Sequence, residues 1–139
     1  MKPENRFVVA GRAFEAATRR ELPDLTPGRA LFEPCGRDTA PCVGWAAVEA
    51  MKIDPEAIMI VAPSDHLIDS DELFRAAIRR AAALVEERPT RLATLGIAPR
   101  EASSAYGYIE RGAALPPSAD EPSDAFEVAS FREKPDAAT

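Results

Sequence analysis

The sequence predicts an α/β fold: a doubly wound, mostly parallel β-sheet with helices on both faces. Short apolar runs alternate with longer helical stretches along the chain, which is the order that such folds require. Residues 58–62, Ile-Met-Ile-Val-Ala, carry no polar side chain, as expected of a strand that is covered on both faces. Right-handed crossovers between parallel strands then place the connecting helices on the two faces of the sheet.

Several segments have the composition of strands. They are residues 7–10, 30–32, 58–62, 92–97, 108–110 and 126–132. The third is the clearest, because it combines β-branched side chains with the absence of any polar interruption. The last two are separated by residues 112–124, where Pro, Ser, Ala and acidic residues predict an exposed, flexible loop.

Other segments have the apolar spacing of helices. They are residues 13–22, 39–52 and 69–87. Thr39 is predicted to cap the second helix, with Pro41 in its first turn, where a missing N–H costs no hydrogen bond. Asp69 and Glu72 have the spacing of a capping box at the start of the third helix. Apolar side chains recur at helical spacing behind them, so this helix is expected to bury one face.

Length and composition restrict the class of protein. The 139 residues suit one domain, so residues 1–139 are predicted to form a single unit. The net charge of −6 disfavours nucleic acid as a partner, because phosphate backbones are bound by clustered Lys and Arg. No apolar run is long enough to cross a bilayer and the chain opens with charged residues, so a cytoplasmic protein without membrane contact is expected.

The two cysteines, Cys35 and Cys42, have six residues between them. This spacing does not match a zinc site, and the chain has a single His to help complete one. We interpret them as free, partly buried thiols that behave as small apolar side chains, with a disulfide as the alternative.

Polar segments follow three of the predicted strands, at the edge where α/β sheets bind ligands. They are residues 33–39, residues 63–66 and the segment after residue 97. In the second of them, Asp65 is either a Mg²⁺ ligand or the cap of a turn. His66, the only His in the chain, is either a hydrogen-bonded structural side chain or a general base.

Two further clusters of polar residues admit a functional and a structural interpretation. Arg37 lies before a helix N-terminus and is suited to phosphate, while Asp38 and Thr39 either hydrogen-bond a nucleotide base or cap the helix. Near the end of the last strand, Glu133 and Lys134 are suited to sugar hydroxyls and to phosphate. The alternative for this second cluster is a solvated run of charges.

In chain order, these segments read EPCGRDTAP, APSDHLI, TLGIAPREASSAYGYIERG and FREKPD. Together they resemble the sequence blocks of bacterial mannose-1-phosphate guanylyltransferases (GDP-mannose pyrophosphorylases), a branch of the sugar nucleotidyltransferases. The earlier segments RFVVAGRAFEAATRRELPDL and ALFEP are similar to the stretch that precedes those blocks. The resemblance covers nearly all of the chain and implies an incomplete, Rossmann-like nucleotidyltransferase core, so residues 1–139 are interpreted as a partial domain.

The resemblance implies a role for each matching residue. Asp65 would be the catalytic ligand of Mg²⁺, the cofactor, and Lys134 a catalytic residue that contacts phosphate. Glu133 would bind sugar hydroxyls, with Tyr106 and Gly107 beside the sugar phosphate. The implied nucleotide-binding residues are Arg37, Asp38, Thr39, Pro63 and Ser64.

The implied reaction is transfer of a guanylyl group from GTP to mannose-1-phosphate, which gives GDP-mannose and pyrophosphate. A phosphate oxygen of the sugar attacks the α-phosphorus in line, while Mg²⁺ and Lys134 neutralise charge. The alternatives are a non-catalytic sugar-nucleotide-binding or assembly module, and a nucleotidyltransferase for another hexose-1-phosphate. A homo-oligomer is compatible with the sequence.

The chain departs from the family pattern at three places. Asp38 stands where the family carries Asn, and an ionised carboxylate accepts hydrogen bonds but donates none. Ala105 replaces the first Gly of the family's GYGYI block, and its Cβ narrows any close backbone approach. A Gly-rich segment for the triphosphate is not found in the sequence, so we expect a partial chain, lacking that N-terminal loop and the C-terminal part, with weak or no activity alone.

Overall fold

The computed structural model describes residues 3–101, 103–104, 106–116 and 125–133. The chain divides into two compact units, Met1–Ser64 and Asp65–Thr139. In the described residues, each unit contains one two-stranded sheet, parallel in the first and antiparallel in the second. The described residues therefore combine helices with β-sheets, as an α/β fold does. The prediction of one partial domain over residues 1–139 stays a prediction.

In the first unit, a short parallel sheet is formed by β1 (Val8–Gly11) and β2 (Ala30–Glu33). Parallel neighbours need a crossover connection, and here it contains a 3₁₀ turn and the helix α1 (Glu15–Glu21). β2 carries the buried side chains of this unit, Leu31 and Phe32. These elements confirm the predicted strands and helix within a few residues of their ends.

The helix α2 (Thr39–Met51) follows β2 and confirms the second predicted helix. The predicted cap is wrong by one residue, because Asp38 occupies the N-cap position and Thr39 is already helical. Asp38 has φ 62° and ψ −166°, the one positive φ among the described non-glycine residues. Its side chain makes no capping hydrogen bond, so backbone direction rather than side-chain chemistry sets the start of this helix.

In the second unit, the helix α3 (Asp71–Glu87) confirms the third predicted helix. The predicted capping box is wrong, because Ser70 is the N-cap and its Oγ accepts from the Leu73 N–H at 3.4 Å. A Ser hydroxyl one residue closer to the helix thus replaces the Asp69 carboxylate as the cap. α3 has 17 residues, and no helix in the described part of the chain is long and apolar enough to cross a membrane.

The apolar face of α3 is partly buried, as its periodicity predicts, and the buried residues of this helix are Leu84 and the charged Arg80. Arg80 Nη2 donates to the carbonyl oxygen of Pro116 at 2.8 Å, which ties the helix to the residues that follow β3 (Gly107–Ala114). Arg91 Nη1 donates to the carbonyl oxygen of Leu84 at 3.0 Å and supports the last turn. Two arginines therefore hold α3 in place through backbone carbonyls.

β3 pairs with β4 (Phe126–Glu133) in an antiparallel hairpin, which confirms the last two predicted strands and lengthens the first. The register runs from Gly107 opposite Glu133 and shifts twice after Glu110. Residues 112–114 belong to β3, so the predicted loop at residues 112–124 begins later than expected, while its residues 117–124 lie outside the described part.

Two predicted strands are absent from the described structure. Residues 58–62 and 92–97 have no regular secondary structure, and their side chains are exposed. An apolar run becomes a strand only when a neighbour supplies ladder hydrogen bonds, and the described ladders join β1 with β2 and β3 with β4. Composition predicts that such a segment is buried in a sheet, but it does not supply the partner.

Candidate functional site

The start of β3 and the end of β4 bring two predicted sugar-binding residues together. Gly107 and Glu133 are register partners, and the Glu133 side chain lies across the Gly107 Cα. A Cβ at Gly107 would come 2.7 Å from Glu133 Oε2, closer than real contacts allow. The carboxylate therefore occupies the space that a larger residue at position 107 would need. The sequence predicted both residues, and the structure adds that each shapes the position of the other.

Residues that are two positions apart in a strand point to the same side of the sheet. Phe131, which pairs with Ile109, therefore shares a face with Glu133, and Phe131 is 70% exposed. An exposed aromatic ring beside a carboxylate offers an apolar surface next to a hydrogen-bond acceptor. Phe131 was not among the site residues predicted from the sequence, although the two-residue alternation of a strand places it on this face.

Tyr106 and Tyr108 flank Gly107 and have different surroundings. The Tyr106 side chain is 68% exposed, whereas Tyr108 is partly buried. The Tyr108 hydroxyl accepts from the backbone N–H of Ser103 and donates to the carbonyl oxygen of the same residue, both at 2.8 Å. Ala105 and Lys134, which the sequence places beside this region, lie outside the described residues.

The predicted nucleotide-binding residues Arg37, Asp38 and Thr39 lie between β2 and the first turn of α2, and all three are exposed. The first backbone N–H groups of a helix have no intrahelical partner and carry partial positive charge. Because the Asp38 side chain does not cap these groups, the turn presents N–H donors and the Arg37 guanidinium to solvent. Such a surface is suited to an anion or to the polar edge of a base.

Pro63, Ser64 and Asp65 follow the apolar segment at residues 58–62, and all three are exposed. Ser64 and Asp65 lie in a turn, and Asp65 is the first residue of the second compact unit. In the described residues, no hydrogen bond or ion pair engages the Asp65 carboxylate. His66 is exposed as well. Its interpretation as a structural or a catalytic side chain stays open.

The donor chemistry of Asp65 fits Mg²⁺, which prefers one or two carboxylates together with water and substrate phosphate oxygens. Within the described ranges, no group of three or more His, Cys, Asp or Glu side chains is arranged to hold a metal ion.

The two thiols near the first of these segments are free but differ in environment. Cys35 is exposed, which differs from the predicted partial burial, whereas Cys42 in α2 is partly buried. Burial raises the pKa of the Cys42 thiol, and the negative charge of Glu33 raises it further. A thiol whose pKa is raised holds its proton to higher pH, so Cys42 contains less of the reactive thiolate.

We expect iodoacetamide to alkylate Cys35 well before Cys42 at pH 8. Mass spectrometry of a time course should show a single adduct on the peptide with Cys35, and the second adduct should follow about tenfold more slowly. In the Cys35→Ser variant, the fast adduct should vanish while the slow one persists. Equal rates at both positions would contradict the difference in burial and charge.

Comparison with known protein families gives the class of this protein. The chain belongs to the nucleotidyl transferase family, whose family model matches residues 10–139. This finding confirms the resemblance seen in the sequence blocks at the level of the family.

The chain is also similar to individual proteins. The chain is 39% identical over 133 residues to the mannose-1-phosphate guanylyltransferase of Klebsiella pneumoniae, which covers 96% of this chain and 26% of the relative. It is 38% identical over 138 residues to the mannose-1-phosphate guanylyltransferase of Escherichia coli (strain K12), a match that covers 98% of this chain and 27% of the relative. It is 39% identical over 126 residues to the xanthan biosynthesis protein XanB of Xanthomonas campestris pv. campestris (strain B100), a match that covers 91% of this chain and 25% of the relative. The chain thus spans about a quarter of the length of these relatives.

Proposed function

We propose that this chain forms part of an enzyme that transfers a guanylyl group from GTP to mannose-1-phosphate. The observation that carries the proposal is the 39% identity over 96% of the chain to a relative named for this activity. In the reaction, a phosphate oxygen of mannose-1-phosphate attacks the α-phosphorus of GTP. The bond from that phosphorus to the bridging oxygen breaks, and pyrophosphate leaves as GDP-mannose forms.

On this proposal, the end of the β3–β4 hairpin binds the sugar. The Glu133 carboxylate accepts hydrogen bonds from sugar hydroxyls, and Gly107 leaves the space in which that carboxylate lies. Tyr106 and Lys134 are proposed for the sugar-phosphate side, where the positive charge of a Lys ammonium suits phosphate. The pairing of Gly107 with Glu133 supports this assignment, because it places the Glu133 carboxylate beside Gly107, the other residue proposed to contact the sugar.

The nucleotide side is proposed to contain Arg37, Asp38 and Thr39, together with Pro63 and Ser64. Arg37 offers a fixed fork of donors to phosphate oxygens, and the uncapped start of α2 offers backbone N–H groups. The chemistry of these groups supports a role in orienting the nucleotide. We also propose that the complete fold is a doubly wound, Rossmann-like sheet, in which these segments follow the carboxyl ends of strands.

Asp65 is the proposed protein ligand of Mg²⁺. Its exposed carboxylate, which no described residue engages, supports this role. When bound, the metal ion neutralises charge on the phosphates of the nucleotide. The residues of this chain then bind and orient both substrates, and no covalent intermediate with the protein is needed.

A second candidate is a module that binds a sugar nucleotide without catalysing its formation. The pairing of Gly107 with Glu133, two residues proposed for the sugar side, supports this candidate because it concerns binding of the sugar and not the reacting phosphates. The two candidates share ligands and differ in turnover. A coupled assay for pyrophosphate release from GTP and mannose-1-phosphate separates them.

We expect the chain to bind GDP-mannose in the presence of Mg²⁺ more tightly than UDP-glucose. In the Glu133→Gln variant, affinity for GDP-mannose should fall about tenfold, because a charged acceptor is replaced by a neutral amide. Isothermal titration calorimetry measures both quantities. The matched control is Glu86→Gln, which neutralises an exposed carboxylate on α3 and should leave binding unchanged. Preference for UDP-glucose would favour another hexose-1-phosphate as the substrate, and absence of binding to either would contradict the proposal for this chain.

A further inference from the structure

The hydroxyl of Tyr108 is fully committed to the protein backbone. It accepts from the N–H and donates to the C=O of one residue, Ser103, at 2.8 Å in both cases. A phenolic hydroxyl has a single proton, so it has no second hydrogen to donate to a ligand. Tyr108 therefore cannot bind a phosphate or a sugar oxygen as a donor while these bonds exist.

These two hydrogen bonds join Tyr108 to the backbone of Ser103. Gly107 directly precedes Tyr108, and a glycine gives the chain more conformational freedom than any other residue. Fixing the residue next to a glycine reduces the number of conformations that the glycine populates. The Tyr108 hydroxyl consequently restricts the backbone at the point where β3 begins, which is where Gly107 meets Glu133.

The Glu133 carboxylate lies beside this part of the backbone. Its Oε2 lies only 2.7 Å from the site of a Cβ at Gly107, so a shift of the Gly107 backbone changes the space available to the carboxylate. Tyr108 pairs with Arg132, and side chains of successive residues in a strand point to opposite faces of the sheet. The Tyr108 ring therefore lies on the face opposite to the one that carries Glu133. Any effect of the Tyr108 hydroxyl on the carboxylate must therefore pass through the backbone and not through direct contact.

We propose that Tyr108 is a positioning residue for the sugar. Its hydroxyl holds the backbone of Ser103, and this keeps Gly107 opposite the Glu133 carboxylate. The inference rests on the proposed function, since it requires that Glu133 bind the sugar. Tyr108 itself touches no substrate.

The test is the Tyr108→Phe variant, which removes the hydroxyl and keeps the ring. Affinity for GDP-mannose should fall about tenfold, whereas affinity for GDP, which lacks the sugar, should stay the same. Hydrogen exchange of the Ser103 amide should become faster, because its acceptor is gone. The matched control is Ser130→Ala, which removes a hydrogen bond of 2.7 Å to Glu110 Oε2 in the same hairpin and should change neither affinity.

The outcomes separate this inference from the proposed function. If the unmodified chain binds GDP-mannose and Tyr108→Phe binds it equally well, the positioning role is wrong and the proposed function stands. An equal loss of affinity for GDP and GDP-mannose would also overturn the positioning role, because it would indicate general destabilisation. If the unmodified chain binds neither ligand, the proposed function fails for this chain and the positioning role fails with it.

Discussion

Replacing Gly107 by Ala should weaken the binding of GDP-mannose at least about tenfold while leaving the free energy of unfolding within about 1 kcal/mol. The added Cβ would come 2.7 Å from Glu133 Oε2, and the next nearest atoms are 3.7 Å or more away. The atom that must move is the end of a flexible side chain, so the fold accommodates the methyl group. The displaced carboxylate, however, no longer faces the ligand in its former position. Calorimetric titration and thermal unfolding of the same preparation measure the two effects.

The control for this variant is Gly112→Ala on the same strand, which should give the opposite result. Its Cβ would approach the backbone oxygen of Glu127 to 3.1 Å, and a backbone atom cannot turn aside as a side chain does. We therefore expect Gly112→Ala to lower the free energy of unfolding by about 1–3 kcal/mol and to leave affinity unchanged. If both variants lose stability and affinity together, the proposed link between Gly107 and the Glu133 carboxylate is wrong.

Replacing Asp65 by Asn should abolish the dependence of GDP-mannose binding on Mg²⁺. The amide keeps the size of the side chain but removes the negative charge that attracts the cation. At saturating Mg²⁺, affinity for GDP-mannose should fall at least about tenfold, while affinity without Mg²⁺ should not change. Titrations with and without Mg²⁺ provide the comparison.

Asp69→Asn is the matched control for Asp65→Asn, because Asp69 is an exposed acid four residues further along the chain. It should preserve the response to Mg²⁺ in full. A similar loss in both variants would indicate that general surface charge, and not one ligand, attracts the cation. An unchanged response in Asp65→Asn would remove Asp65 from the metal site.

Helices, whose hydrogen bonds are local, could be predicted from the sequence, whereas strands could be predicted only where a partner strand forms in the described structure. α2 and α3 begin and end close to the predicted residues, because helical periodicity and helix ends are encoded within a few positions. The error at the start of α3 has the same local origin, since Ser70 and Asp69 are both good N-caps and only geometry decides between them. Residues 58–62, in contrast, were predicted as a strand from composition alone, and pairing is not a property of composition.

In the candidate site, single residues could be predicted from the sequence, but the contacts between them could not. The sequence identified Gly107 and Glu133 as separate members of two motifs, but their contact depends on the register of the hairpin. Register is set by the pairing of whole strands and by the turn between them, so it is not visible in either motif. The bonds from Tyr108 to Ser103 likewise depend on how the chain turns before β3, and a tyrosine in a strand gives no signal of them.

The backbone of Asp38 also bears on how this position changes in evolution. Its φ of 62° and ψ of −166° lie in a region that suits glycine and costs most other residues about 1–3 kcal/mol. Asp and Asn tolerate positive φ better than other side chains do. In the genetic code, a single nucleotide change converts an Asp codon into an Asn or a Gly codon. An exchange among Asp, Asn and Gly at position 38 is therefore a short mutational step between residues that tolerate a positive φ better than the others do.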